Sequence, residues 1–226
     1  MSGFTIAILL LGLLGAYLLG SMPTGFVLGK VLQGIDIREH GSGNTGATNV
    51  FRVMGKSAGI TALIIDLLKG VAAIVWMRWL LSSGWSLSPW MQDWAYVMAA
   101  LLAVIGHSKS VWIGFSGGKS AATGLGVLLA LAWPVGLSVA AVFAVAVAIS
   151  RTVSVGSMVA ALCVPVLMWL LAEPLAYILF AIAGGLYVLL RHRSNFSRLL
   201  AGTEPKTFGK QTPQETQTVQ TLRSKQ

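Results

Sequence analysis

Long apolar runs separated by short polar stretches make up most of this chain. Seven runs stand out: Gly3 to about Leu32, Ala58 to Leu81, Trp90 to Ile105, Ser120 to Ala132, Val135 to Ile149, Val153 to Leu171 and Leu175 to Leu190. Several approach the roughly 20 residues that a helix needs to cross a bilayer core. The pattern predicts an all-α polytopic membrane protein with seven transmembrane helices. The first run holds Ser21, Pro23, Thr24 and Gly25 near its end. A proline is tolerated there if neighbouring helices or hydroxyls take up the freed carbonyls. The fourth run is short for a crossing and stops at Trp133-Pro134. No lysine or arginine precedes the first run, so it reads as a retained helix rather than a cleaved signal. From Thr203 onward Thr, Gln and Lys replace apolar residues, which gives a membrane domain over 1–202 and a disordered tail over 203–226. No internal repeat of fixed period is visible, unlike many transporters.

Composition agrees with this partition. The 226 residues are 55% hydrophobic and only 10% charged, against roughly 25% charged in a soluble domain. The net charge of +9 would suit nucleic acid, but its distribution argues against such a partner. Lysines and arginines gather at the first, third and fifth connections and after the last run. The positive-inside rule then places those connections and the C-terminus in the cytoplasm, with the N-terminus outside. Every polar stretch thereby collects at one membrane face, the cytoplasmic one. Cys163 lies alone in an apolar run, which excludes an internal disulfide.

Three of these stretches carry candidate chemistry. The first, Gly41 to Arg52, reads G-S-G-N-T-G-A-T-N-V-F-R. Its glycines permit positive φ, and successive N–H groups in such a loop can form an anion-binding concavity. Ser42, Asn44, Thr45, Thr48 and Asn49 add donors, and Arg52 adds a fork suited to phosphate. The second, Gly106 to Lys119, ends on G-F-S-G-G-K before an apolar helix, half of a phosphate cradle. It is one residue short of the nucleotide-binding G-x-x-x-x-G-K spacing, so nucleotide binding is excluded. The third is Arg191, His192, Arg193, Asn195 and Arg198, in which His192 and Asn195 share a face if the last helix continues. His40 and His107 are weaker candidates. Asp66 and Lys69, spaced i, i+3 within the second run, can neutralise each other or mark a functional site. The isolated acidic residues offer no oxygen-ligand cluster for a metal.

Taken together, these stretches resemble the bacterial acyl-phosphate-dependent glycerol-3-phosphate acyltransferases. The likeness runs from about Tyr17 to Glu204 and includes L-L-G-S-M-P-T-G at 18–25, the 41–52 stretch and D-L-L-K-G at 66–70. It continues through G-F-S-G-G-K-S-A-A-T at 114–123 and R-H-R-S-N-F-S-R-L-L-A-G-T-E at 191–204. The resemblance implies acyl transfer from acyl phosphate to the 1-hydroxyl of sn-glycerol 3-phosphate, giving lysophosphatidate and phosphate, the first acylation of phospholipid synthesis. It implies no metal, no cofactor and no acyl-CoA, and a functional link to a soluble phosphate acyltransferase that supplies the donor. The family's catalytic residues map onto Ser42, Arg52, Lys119, His192 and Asn195. Its substrate-binding positions map onto Gly41, Gly43, Asn44, Thr48, Asn49, Gly114, Gly117 and Gly118, and Glu204 matches a glutamate with a structural role. Two positions depart from the family pattern: Ser110 stands where it has proline, and Ser120 where it has glycine. At the latter a Cβ restricts any backbone with positive φ, whereas a hydroxyl could donate to phosphate. A transporter of phosphorylated solutes could use the same cationic loops, but it would need polar residues toward the midplane, and the last four runs are almost wholly apolar.

Overall fold

The computed structural model describes residues 3–82 and 87–206. Among them the regular structure is helical, apart from an isolated bridge between Ser110 and Ser116. The helices are α1 Gly3–Ser21, α2 Thr24–Gln33, α3 Ala47–Met54, α4 Lys56–Ser82, α5 Pro89–Ser108, α6 Ala121–Leu131, α7 Trp133–Ser150, α8 Val153–Leu170, α9 Leu175–Arg191 and α10 Arg193–Leu200. Short 3-10 turns lie at Ile37–Glu39 and Val111–Ile113. Of the polar tail expected from Thr203, residues 207–226 lie outside the described residues.

Four helices, α1, α4, α7 and α8, are long and apolar enough to cross a membrane, and α9 with α10 would make a fifth across a 55° bend. The remaining runs depart from simple spans for local reasons. The first is cut at Pro23, which has no N–H to donate and whose ring clashes with the preceding turn. The chain leaves α1 at Ser21 and restarts as α2. The fourth condenses to the 11 residues of α6, because Trp133-Pro134 begins a new helix immediately after it. The third forms a 20-residue helix, α5, but Gln92, Asp93 and His107 dilute its apolar character.

The freed carbonyls at the α1 break are taken up by neighbours. Ser21 Oγ donates to the Leu18 carbonyl at 2.9 Å, and Ser110 Oγ donates to the Ser21 carbonyl at 2.5 Å. Lys69 Nζ donates to the Met22 carbonyl at 2.8 Å. The proline is therefore tolerated in the way expected, with an ammonium group as one of the donors.

Helix α4 runs through the middle of the bundle. Ile74 and Met77 join Val97 of α5, Val127 of α6, Val135 of α7, Met168 of α8 and Phe180 of α9 in one core. Its contact with α6 is a close backbone approach: a Cβ at Gly70 would strike the Thr123 carbonyl, and one at Gly126 the Leu67 carbonyl. This pair sets the depth of α6, whose N-terminus carries Lys119 and Ser120 just before it. A smaller cluster of Ile37, Val50, Val53, Ala58 and Ala62 lies beneath the first polar loop. Val50 and Val53, three apart on α3, anchor that loop by one buried face.

Gly126→Leu is expected to lower stability by about 1–3 kcal/mol through overpacking, seen as a reduced unfolding temperature in detergent micelles. Gly124→Ala, on the same helix but with open space around its Cβ position, is expected to leave that temperature unchanged.

Candidate active site

A cavity of about 210 Å³ opens among the three polar stretches and continues between α6, α7, α8 and α9. Its polar end is lined by Ser42, Asn44, Thr48, Asn49, Arg52, Lys119, Ser120, His192, Asn195 and Glu204. Its inner end is apolar, with Leu125, Leu128, Val139, Phe143, Val164 and Phe180 among the walls. All five residues expected to be catalytic, Ser42, Arg52, Lys119, His192 and Asn195, therefore meet in one space. Asn44, Thr48 and Asn49 join them, whereas Gly41, Gly43, Gly114, Gly117 and Gly118 are not among the lining residues.

The first wall is half loop and half helix. A loop was expected throughout, but α3 begins at Ala47, so Thr48, Asn49 and Arg52 project from a helix. Asn49 is buried and holds the loop in shape. Its Nδ2 donates to the carbonyls of Asn44 at 2.8 Å and His40 at 3.0 Å, and its Oδ1 accepts the Ser42 N–H at 2.8 Å. Asn44 Oδ1 accepts the Gly46 N–H at 2.8 Å. Gly41 and Gly43 have φ of 60° and 69°, left-handed values that suit glycine. Their part is to turn the chain so that Ser42 reaches the cavity.

The second wall follows α5. Arg38, paired with Asp36 at 2.7 Å, donates to the Ile113 carbonyl at 3.1 Å and so braces this turn from the first loop. Gly114 is left-handed at φ 69°. The Gly118 N–H donates to the His107 carbonyl at 3.1 Å, and its carbonyl accepts from Arg191 Nη2 at 3.0 Å. Both backbone groups of Gly118 are thus engaged by protein. Ser120 has φ 63°, the conformation in which a Cβ is costly. Its hydroxyl donates to the Val104 carbonyl at 2.7 Å, an internal bond rather than one held open for phosphate. Ser110 also uses what a proline would lack, donating its N–H to the Ser116 carbonyl at 3.1 Å.

The third wall bends at His192, where α9 ends and α10 starts. The condition for His192 and Asn195 to share a face was a helix that continues; it bends by 55° at this point, and both still line the cavity. His192 Nδ1 bonds the Val188 carbonyl at 2.8 Å, so Nδ1 carries the proton and Nε2 is the acceptor in the neutral ring. Burial pushes the imidazole below its ordinary value, against the Val188 bond, and keeps it neutral at pH 7. Asn195 is the hub: its Oδ1 accepts from Lys119 Nζ, and its Nδ2 donates to Glu204 Oε1 at 2.6 Å. Ser154 Oγ also donates to Oε1, at 2.8 Å, and Arg198 Nε donates to Oε2 at 2.7 Å. Burial raises the Glu204 carboxyl, but these three donors outweigh it and hold the group below its ordinary value. Burial first, and then the charge of Arg198, pull the Lys119 ammonium down to about 8, with Arg52 and Arg191 adding smaller repulsions and Glu204 opposing them.

Sequence reasoning gave too little weight to Arg191, Ser154, His107 and Asp66. Arg191, named only as one of several cations in the third stretch, holds the glycine turn through the Gly118 carbonyl. Asp66 and His107 both line the cavity; the intramembrane position of Asp66 was the available signal.

A cationic, donor-rich mouth on an apolar cavity suits a substrate with a phosphate head and a hydrocarbon tail. The glycerol-3-phosphate acyltransferase family profile matches residues 10–202. The chain belongs to the glycerol-3-phosphate acyltransferase family. Curated members named glycerol-3-phosphate acyltransferase include one from Trichormus variabilis, 55% identical over 89% of this chain and 93% of its own length. Another, from Nostoc sp., is 54% identical over 90% of this chain and 94% of its own. The fold is similar to a crystal structure of PlsY (YgiH), an integral membrane glycerol 3-phosphate acyltransferase in its glycerol 3-phosphate form. The TM-score is 0.80 at 36% identity, covering 89% of this chain and 96% of that one. The lysophosphatidic acid form of PlsY gives a TM-score of 0.78 at the same identity, covering 89% and 95%.

A lysine near 8 is charged below that pH and loses its hold on an anion above it. Affinity for a phosphate-bearing substrate is accordingly expected to be near its full value at pH 7 and to fall as pH rises through about 8. In Lys119→Arg, which stays charged, that falling limb should vanish from a plot of KM against pH.

Proposed function

We propose that this acyltransferase moves an acyl group from acyl phosphate to the 1-hydroxyl of sn-glycerol 3-phosphate, releasing 1-acylglycerol 3-phosphate and inorganic phosphate. The observation that carries the reading is the form of the cavity, cationic at its mouth and apolar between α6 and α9. One end suits two phosphate groups and the other suits an acyl chain. An acyl phosphate is already activated, so catalysis rests on positioning two anions and offsetting their repulsion. Lys119 and the 42–49 loop hold the donor phosphate, while Arg52, Asn195 and His192 grip the glycerol phosphate. The hydroxyl oxygen attacks the acyl carbon, and the bond from that carbon to the phosphate oxygen breaks. Phosphate leaves with the electron pair and takes up the proton that the attacking hydroxyl gives away. His192 Nε2, free of the Val188 bond and neutral at pH 7, accepts the hydrogen bond of the attacking hydroxyl. Ser42 orients the reacting groups.

The same proposal includes the membrane setting. Seven apolar runs support seven crossings, the bacterial relatives support an inner membrane, and the distribution of basic residues supports an N-terminus outside with the site and C-terminus in the cytoplasm. A soluble phosphate acyltransferase would deliver the donor to that face.

Purified protein given glycerol 3-phosphate is expected to form lysophosphatidate with acyl phosphate and not with acyl-CoA. Absence of product with acyl phosphate rejects the reading, and equal use of acyl-CoA rejects the assigned donor. Lys119→Ala should lose well over tenfold in kcat/KM, since a charged contact contributes about 1.5–3 kcal/mol.

A further inference from the structure

His107 takes no direct part in the mechanism above, yet it is buried between α4 and the glycine turn. Its Nδ1 lies 3.7 Å from Asp66 Oδ1 and has no hydrogen bond. Asp66 itself is fixed by Lys69 at 2.9 Å and by Thr24 Oγ1 at 2.8 Å. On the far side of the ring is Gly118. A Cβ there would overlap Nε2 and approach Cε1 to 2.8 Å and Cδ2 to 2.9 Å, while a Cβ at Gly117 would strike the His107 carbonyl. Neither glycine has a positive φ, so the backbone at 117 and 118 is open to other residues. What excludes a side chain is His107. Arg191 holds the same glycine through its carbonyl.

We infer that His107 is a positioning residue: its ring is a spacer between the fixed Asp66 carboxylate and Gly118, and it sets where the next residue, Lys119, presents its ammonium to substrate. This rests on the acyltransferase reading and deepens it, because the spacer acts on phosphate binding through the turn and not on the acyl group. The asymmetry of the ring makes the idea testable. Asparagine keeps a polar group near the Nδ1 position facing Asp66 but lacks the far half of the ring. A methyl at position 118 would occupy the space that the far half leaves.

The experiment measures lysophosphatidate formation and both substrate KM values for wild type, His107→Ala, Gly118→Ala, and the pair His107→Asn with Gly118→Ala, with unfolding temperatures alongside. His107→Ala and Gly118→Ala should each lose at least tenfold in kcat/KM, mostly through a higher KM for a phosphate-bearing substrate. The pair should recover at least threefold over Gly118→Ala alone. KM values within twofold of wild type in His107→Ala overturn the proposal. So does a pair no better than Gly118→Ala, which remains decisive if His107→Ala does not fold. An inactive wild-type protein overturns the acyltransferase reading itself and is distinguished by that control.

Discussion

A carbonyl inside an apolar helix bundle has no water to turn to, and the break between α1 and α2 leaves several without helical partners. The protein answers with an ion pair. Lys69, 5% exposed, donates at once to the Met22 carbonyl and to Asp66, which is 2% exposed. Each charge needs the other, since desolvating either alone costs several kcal/mol. The carboxylate in turn takes the Thr24 hydroxyl at the start of α2. This one arrangement closes the break, fixes where α2 begins and places a carboxylate behind the second wall of the site. Ser110 extends it by joining the Ser21 carbonyl to the turn that leads to Lys119.

From there the site is assembled by bonds between distant parts of the chain. Lys119 meets Asn195 across 76 residues, and Ser154 meets Glu204 across 50. Glu204 joins α8 to α10 through Ser154 and Asn195, and Asn195 carries the link on to Lys119 at the start of α6. With Glu204 held ionised by its donors, the cations around the mouth have one internal counter-charge among the lining residues of the third wall. The excess of positive charge is left for substrate. The same cavity continues between apolar helix faces, so head and tail of an amphiphile are sorted by one space.

Much of this was legible in the chain. Apolar runs gave the membrane class and most helices, and the residues at 42, 52, 119, 192 and 195 converge as their motifs implied. What was not legible depends on backbone direction. Pro23 could have kinked a span or ended it; the donors that decide, Lys69 and Ser110, lie 46 and 87 positions further on. The short amphipathic α3 was hidden in a stretch dominated by glycine and polar residues, where only Val50 and Val53 mark a buried face. The glycines at 117 and 118 looked like phosphate contacts because glycine before lysine at a helix start is a familiar anion site. The reason they lack side chains is His107, packed against them from the preceding helix. At Ser120 a Cβ was a concern only if φ were positive; φ is positive, and the hydroxyl bonds inward to Val104.

The most direct test of this account is a double-mutant cycle on the buried pair, Asp66→Asn and Lys69→Met, read by unfolding temperature in detergent micelles. Removing one partner strands the other charge, a loss of about 3–5 kcal/mol. Each single variant should unfold well below wild type, and the double variant should lose clearly less than the two losses combined. It should still fall short of wild type because the Met22 carbonyl has lost its ammonium donor. Losses that simply add would contradict the claim that the two charges act as one unit at the break on which the site is built.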